Sequence, residues 1–132
     1  MARTIQIAAF LPAAPERLFD MYLDATAHSA FTGMPATVSM APGSAFSAFN
    51  GVITGTMLQV VPKRLIVQSW RSPHWGAADL DSTLVLTFLS DKDGARIELT
   101  QANVVDADFA GVSQGWEKYY WAPWREYLEQ AN

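Results

Sequence analysis

The sequence predicts an α+β domain in which a curved antiparallel sheet wraps round a long C-terminal helix, with two short helices after the first strand. Three observations carry that prediction. Segments of strand period, separated by turn residues, recur between Thr4 and Val104. Helix-opening and helix-stopping residues interrupt them only once, directly after the first strand. The last stretch, Asp106 to Asn132, has a broad aromatic stripe at helical spacing. With 132 residues, half of them hydrophobic, the chain suits one core and reads as a single domain, residues 1–132.

Thr4 to Leu11 places Ile5, Ile7, Ala9 and Leu11 on one face and stops at Pro12, which makes it the first strand. Pro15 then opens a helix as a first-turn residue, with Leu18, Phe19 and Tyr22 at helical spacing. Asp24 is placed to cap a second short helix that runs through Phe31 and is stopped by Gly33.

From Ala36 to Gln59 short runs are broken by Pro42-Gly43, Asn50-Gly51 and Gly55, which predicts strands over Thr37–Met40, Ala45–Phe49 and Val52–Val61. Asn-Gly is the strongest short hairpin signal, because a type I′ turn needs positive φ at both central residues. Gly55, inside a strand, marks a bulge or a close backbone approach. Pro62-Lys63 turns the chain into a strand over Arg64–Arg71. Thr83–Leu89 and Arg96–Val104 follow, joined by Asp91-Lys92-Asp93-Gly94, a turn by composition.

In the final helix Val112, Trp116, Tyr119 or Tyr120, Trp124, Tyr127 and Leu128 share one face. Pro123 lacks an N–H and predicts a kink or a split there. Space left between this helix and the sheet would be the natural place for an apolar ligand.

Composition excludes several classes of function. The net charge is −4, with nine Lys and Arg scattered among thirteen Asp and Glu, so nucleic acid and anionic membrane are not expected partners. No stretch approaches the roughly 20 apolar residues of a membrane span. The first fourteen residues, broken by Gln6, read as a strand rather than a signal peptide. There is no Cys, hence no disulfide and no thiolate chemistry, which fits a cytoplasmic protein. Only 17% of residues are charged while 12% are aromatic, five of them Trp, so rings dominate the interior or one face.

No Gly-rich phosphate loop, nucleophile elbow or His-Glu-x-x-His motif occurs, and His28 and His74 are the only imidazoles. The reading therefore assigns no metal, no cofactor and no catalytic residue. His28, in a polar and small-residue stretch, reads as a surface or internally satisfied histidine. His74, within Ser72-Pro73-His74-Trp75-Gly76, reads as a solvated loop residue or a rim donor to a ligand. Asp79 and Asp81 either present two carboxylates together or edge a solvated loop. Arg71 and Glu98 either pair for proton transfer or lie on the wet face of the sheet. Trp116, Tyr120 and Trp124 either pack the core or line a ligand cavity or partner groove, and exposed aromatics near Trp75 would favour a homodimer over a monomer.

Phe49-Asn50-Gly51-Val52-Ile53-x-Gly55 and Val60-Val61-Pro62-Lys63-Arg64-x-Ile66-Val67-x-x-Trp70-Arg71 resemble the activator of heat-shock protein 90 ATPase family. Ser82-x-Leu84-x-Leu86-x-Phe88 and Gln114-Gly115-Trp116-Glu117-x-Tyr119-Tyr120-Trp121 continue the resemblance in the family's order. It implies the helix-grip fold of the START and birch-pollen-allergen superfamily, which includes lipid and polyketide binders, cyclases and a co-chaperone domain. The eukaryotic co-chaperone carries a separate N-terminal domain, whereas this sequence begins at the C-terminal type of domain.

The expectation is first a stand-alone binding domain for a small apolar or aromatic ligand, between the last helix and the sheet. Its candidate residues are Phe49, Met57, Trp70, Phe88, Trp116 and Tyr120. The alternatives are a co-chaperone-like stress protein that contacts a heat-shock protein 90 homologue, and a cyclase- or aromatase-like enzyme.

Overall fold

The structure is a computed structural model and describes residues 2–130. Strand β1 (Ala2–Leu11) is followed by α1 (Pro15–Leu23) and α2 (Ala25–Thr32). Strands β2 (Ala45–Ala48), β3 (Ile53–Val61), β4 (Leu65–Trp70), β5 (Ser82–Asp91) and β6 (Gly94–Val105) complete one antiparallel sheet in the order β1-β6-β5-β4-β3-β2. The C-terminal helix runs from a 3₁₀ turn at Asp106–Asp108 through α3 (Phe109–Gly115), a π-helical stretch at Trp116–Trp121 and α4 (Ala122–Gln130). The sheet curves round that helix, as the sequence predicts.

Strand period decides the inward face. Leu84, Leu86 and Phe88 of β5, Ile97 and Leu99 of β6, Ile66 of β4 and Met57 of β3 are all buried, while their alternating neighbours are more exposed. Helices α1 and α2 close one end of this face with Leu18, Phe19, Tyr22 and Phe31.

Turn chemistry sets the register. Asn50 and Gly51 have φ of 58° and 86°, and Val52 N–H donates to the Phe49 carbonyl at 3.2 Å, as in a type I′ turn. Phe49 itself has φ 54°, so the ladder stops one residue short of the predicted strand end, at Ala48 opposite Ile53. Lys63 takes the positive φ of 64° that follows a Pro at the preceding turn position. At Gly55 a Cβ would stand 1.9 Å from the Ser69 carbonyl oxygen, so only glycine lets the two chain segments approach this closely.

Two expectations need correction. Thr37–Met40 forms no strand: Thr37 makes one bridge to Ser47, and the chain then leaves the sheet edge. Serines draw it away, with Ala41 N–H donating to Ser39 Oγ at 3.2 Å and Ser44 Oγ to the Ala41 carbonyl at 2.6 Å. Of the kink or split expected at Pro123, the split does not occur. The turn before it widens, so that the Ala122 N–H donates to the Glu117 carbonyl five residues back, and the helix resumes through a residue that has no N–H to give. Residues Ala131 and Asn132 of the predicted helix lie outside the described residues.

Candidate functional site

A cleft of about 480 Å³ opens between the C-terminal helix and the sheet. On the sheet side lie Ile53, Trp70 and Ser72, and on the helix side Asp108, Gly111, Val112, Gly115, Trp116, Tyr119 and Tyr120. Met34, Phe49, Val52 and His74 complete the wall from the connecting segments. Met34, Val52 and Tyr119 are exposed, which gives the mouth an apolar rim.

Rings form the inner wall. The Trp116 ring lies 6.3 Å from Trp70 and 4.8 Å from Tyr120, centroid to centroid, while Phe49 meets Tyr120 edge-on at 5.3 Å. Trp116 is fixed by its own polar end: Nε1–H donates to Gln101 Oε1 at 2.9 Å, Gln101 Nε2 donates to Ser82 Oγ at 3.0 Å, and Ser82 Oγ to the Trp70 carbonyl at 2.7 Å. Trp70 differs. Its Nε1–H is buried and has no partner among the described residues, an arrangement that costs about 1–3 kcal/mol in a closed core.

Beneath the cleft floor sits a second buried network. Fully buried His28 places Nδ1 at 2.8 Å from the Tyr22 carbonyl and Nε2 at 2.9 Å from the Tyr120 hydroxyl. A carbonyl only accepts, so Nδ1 carries the proton and Nε2 receives the one donated by Tyr120. Burial pushes the imidazole down to about 4, against a smaller opposing effect of the Tyr22 carbonyl. Burial likewise raises the Tyr120 and Tyr22 phenols, so all three rings are neutral at neutral pH. Tyr22 finishes the chain by donating to Gln68 Oε1 at 2.7 Å.

At the mouth, Arg71 holds the β4–β5 connection. Its guanidinium donates to the Asp79 carbonyl at 2.7 Å, to the Asp81 carboxylate at 3.1 Å and to the Gly76 carbonyl. Trp75, on this loop, is buried and donates from Nε1 to Asp108 Oδ2 at 2.9 Å, tying the loop to the start of the C-terminal helix.

Of the six residues expected at the site, Phe49, Trp70, Trp116 and Tyr120 meet at the cleft. Met57 and Phe88 do not. Met57 is fully buried outside the cleft lining, and Phe88 packs edge-on against Phe19 of α1 at 5.7 Å. His28 is not a surface residue but an internally satisfied one. His74 is exposed at the rim, and Trp75 is buried, so it offers no exposed aromatic surface for a dimer. Arg71 and Glu98 do not pair: Arg71 holds Asp81, and Glu98 lies 3.1 Å from Arg96. Sequence reasoning passed over Gly111 and Gly115, whose signal was present as two helix-weakening residues one turn apart.

Comparison with known proteins fixes the family. The sequence model described as Activator of Hsp90 ATPase homolog 1-like protein matches residues 12–129. This chain belongs to that family. A human relative, Activator of 90 kDa heat shock protein ATPase homolog 1, is 27% identical over 106 residues, which is 80% of this chain and 31% of the relative. The chain thus spans about a third of the length of the curated relatives it matches. Among solved structures, an HSP90 activator from Plasmodium falciparum superposes with a TM-score of 0.80 at 25% identity, covering 89% of both chains. A Mesorhizobium loti protein superposes with a TM-score of 0.82 at 20% identity, covering 98% of this chain and 99% of that one. The Hsp90 ATPase activator homologue family and the helix-grip architecture implied by the sequence are therefore both found. No helix among the described residues is long and apolar enough to cross a membrane.

Proposed function

We propose that this chain is a binding domain that takes a small apolar or aromatic ligand in the cleft between the C-terminal helix and the sheet. The observation that carries the reading is the open aromatic wall of Trp70, Trp116, Tyr120 and Phe49 around about 480 Å³, within the range of small-molecule sites. A closed core of the same rings would leave no such space. The neutral, fully engaged His28–Tyr120 pair favours binding over turnover, because neither group is poised to exchange a proton near neutral pH. A panel of flat aromatics, sterols and fatty acids, followed by quenching of Trp fluorescence, tests it. Saturable quenching by at least one class, lost in Trp116→Ala, is expected. A panel that leaves the emission unchanged at tens of micromolar would remove the reading.

A second reading rests on family membership and on the resemblance to an HSP90 activator. In it the domain contacts a heat-shock protein 90 homologue through its outer surface. Calorimetry with the cognate chaperone, alongside its ATP turnover, decides between the readings. Faster turnover on adding the domain supports the second, and no heat of binding at tens of micromolar removes it.

A further inference from the structure

We propose that Asn50 is a modification site: it loses its side-chain amide by ring closure onto the Gly51 nitrogen, and the isoaspartate that forms remodels the tip of the β2–β3 hairpin at the cleft wall. Asn50 and Gly51 are both exposed, and neither the Asn50 side-chain amide nor the Gly51 N–H has a hydrogen-bond partner among the described residues. A Cβ built on Gly51 would meet nothing within 4 Å, so the space beside its nitrogen is open to water.

The turn itself favours the reaction. Ring closure needs Asn50 Cγ and the Gly51 nitrogen on one side of the Asn50 Cα–C bond, which is the backbone of a type II′ turn. Asn50 has φ 58°, already the sign that the first central residue takes in both primed turns, so only the Asn50–Gly51 peptide plane has to turn. That motion carries Gly51 from its φ of 86° to a negative φ, a crossing that glycine makes without steric penalty. Asn103, the other asparagine among the described residues, shares a positive φ of 67° but nothing else. Its Nδ2 donates to the Asp81 carbonyl at 3.1 Å, and the next residue, Val104, is branched, fully buried and held opposite Arg3 in the β1–β6 ladder.

The chemistry needs only water. Hydroxide takes the proton of the Gly51 N–H, the nitrogen attacks Asn50 Cγ, and the bond from Cγ to Nδ2 breaks, so that ammonia leaves with a proton from water. Water then opens the cyclic imide. Opening at Cγ gives aspartate, whereas opening at the main-chain carbonyl gives isoaspartate, whose backbone runs through Cβ and Cγ and is one atom longer. Either product adds one negative charge, which takes the net charge from −4 to −5. Only isoaspartate lengthens the turn. The 3.2 Å bond from Val52 N–H to the Phe49 carbonyl closes a two-residue loop, which an added backbone atom distorts. Phe49 and Val52 flank that loop and both line the cleft, so its wall loosens where the turn does.

Incubation of the folded protein in alkaline, ammonia-free buffer tests this, followed by ion exchange, peptide mass mapping and assay of released ammonia. The expected product is one dalton heavier and one charge more negative, with ammonia released mole for mole, the change confined to residue 50 and isoaspartate its main form. Asn50→Gln, whose longer side chain closes a less favourable ring, should stay unmodified over the same time. In deuterium exchange the isolated isoaspartate form should exchange faster at the amides of residues 49–54, while Asn50→Asp, which adds the charge without the extra backbone atom, should match the parent. Asn50 left intact in the folded protein after the urea-unfolded chain has converted overturns the site, and so does conversion of Asn103 at the same rate. Unchanged exchange in the isoaspartate form, or equal loosening in Asn50→Asp, overturns the effect of backbone lengthening on the cleft wall.

Discussion

The two ends of the C-terminal helix face the same sheet but meet different neighbours. From Tyr120 onward the helix is met by α2: Trp124 is fully buried and stacks on Phe31 with centroids 4.1 Å apart and planes 5° apart, and the Tyr120 hydroxyl is taken by His28. From Gly111 to Trp116 no helix of the described residues covers it, and the cleft opens there. Both ends are rich in large rings. Ring size therefore does not decide whether the interface is filled; a second helix set against it does, and glycines widen the end that α2 does not reach. The π-helical stretch, Trp116–Trp121, lies where one regime passes into the other.

If this contrast is right, removing a ring should cost more at the closed end. Trp124→Ala should lose about 3–5 kcal/mol, the scale of a fully packed Trp. Trp116→Ala, with one side on the cleft and Gln101 Oε1 reachable by water, should lose about 2–3 kcal/mol. Urea unfolding of the two variants measures the difference. Equal losses would mean that the cleft end is packed as tightly as the other and the distinction is empty.

Much of this organisation was legible in the sequence, for reasons that are local. Asn50-Gly51 and Pro62-Lys63 fix their turns through φ alone, and the inward parity of Leu84, Leu86 and Phe88 follows from a period of two. Parity, however, tells only that Phe88 and Met57 point inward. It does not tell which inward residues border the cleft, as Trp70 does, and which are covered elsewhere, as Phe88 is by Phe19 of α1. His28 illustrates the same gap: its small-residue surroundings conceal that α2 turns it toward Tyr120, 92 residues later in the chain. Pro123 signalled an irregular helix but not its form, because widening the preceding turn and breaking the helix both answer a missing N–H.

The closed end should also betray itself through pH. His28 is neutral when folded, with its imidazole at about 4, and returns to the ordinary 6.5 when unfolded. Between those values the unfolded chain binds more protons, so stability rises with pH and is lost as pH falls below about 6.5. The loss runs at up to about 1.4 kcal/mol per pH unit, about 3 kcal/mol by the time pH reaches 4. His28→Gln, which keeps an acceptor for Tyr120 but does not titrate, should flatten this slope. Unfolding free energies at pH 7, 6 and 5, where most carboxylates remain ionised, are the measurement. An unchanged slope in the variant would show that His28 is not held neutral by the closed end.

The smallest effect belongs to the open end, at the loop that borders its mouth. Trp75 is buried, its ring 5.9 Å from Trp70, and its side chain donates the 2.9 Å bond from Nε1 to Asp108. Trp75→Phe keeps an aromatic ring in the site and deletes that donor, while Asp108, at the cleft wall, regains water. The cost to stability should be only about 1 kcal/mol, because a neutral donor is lost from a partly exposed pair and no charge is left buried. Local motion should respond more than global stability. With Arg71 still holding the Gly76 and Asp79 carbonyls, the loop stays folded but loses its tie to the helix, so its amides should exchange faster with deuterium while those of β5 and β6 do not. A bound ligand should then leave faster with little change in the rate of entry, since the mouth is open in either case. If exchange in residues 72–81 is unaltered by Trp75→Phe, the loop is held by Arg71 alone, and the open end is as rigid as the closed one.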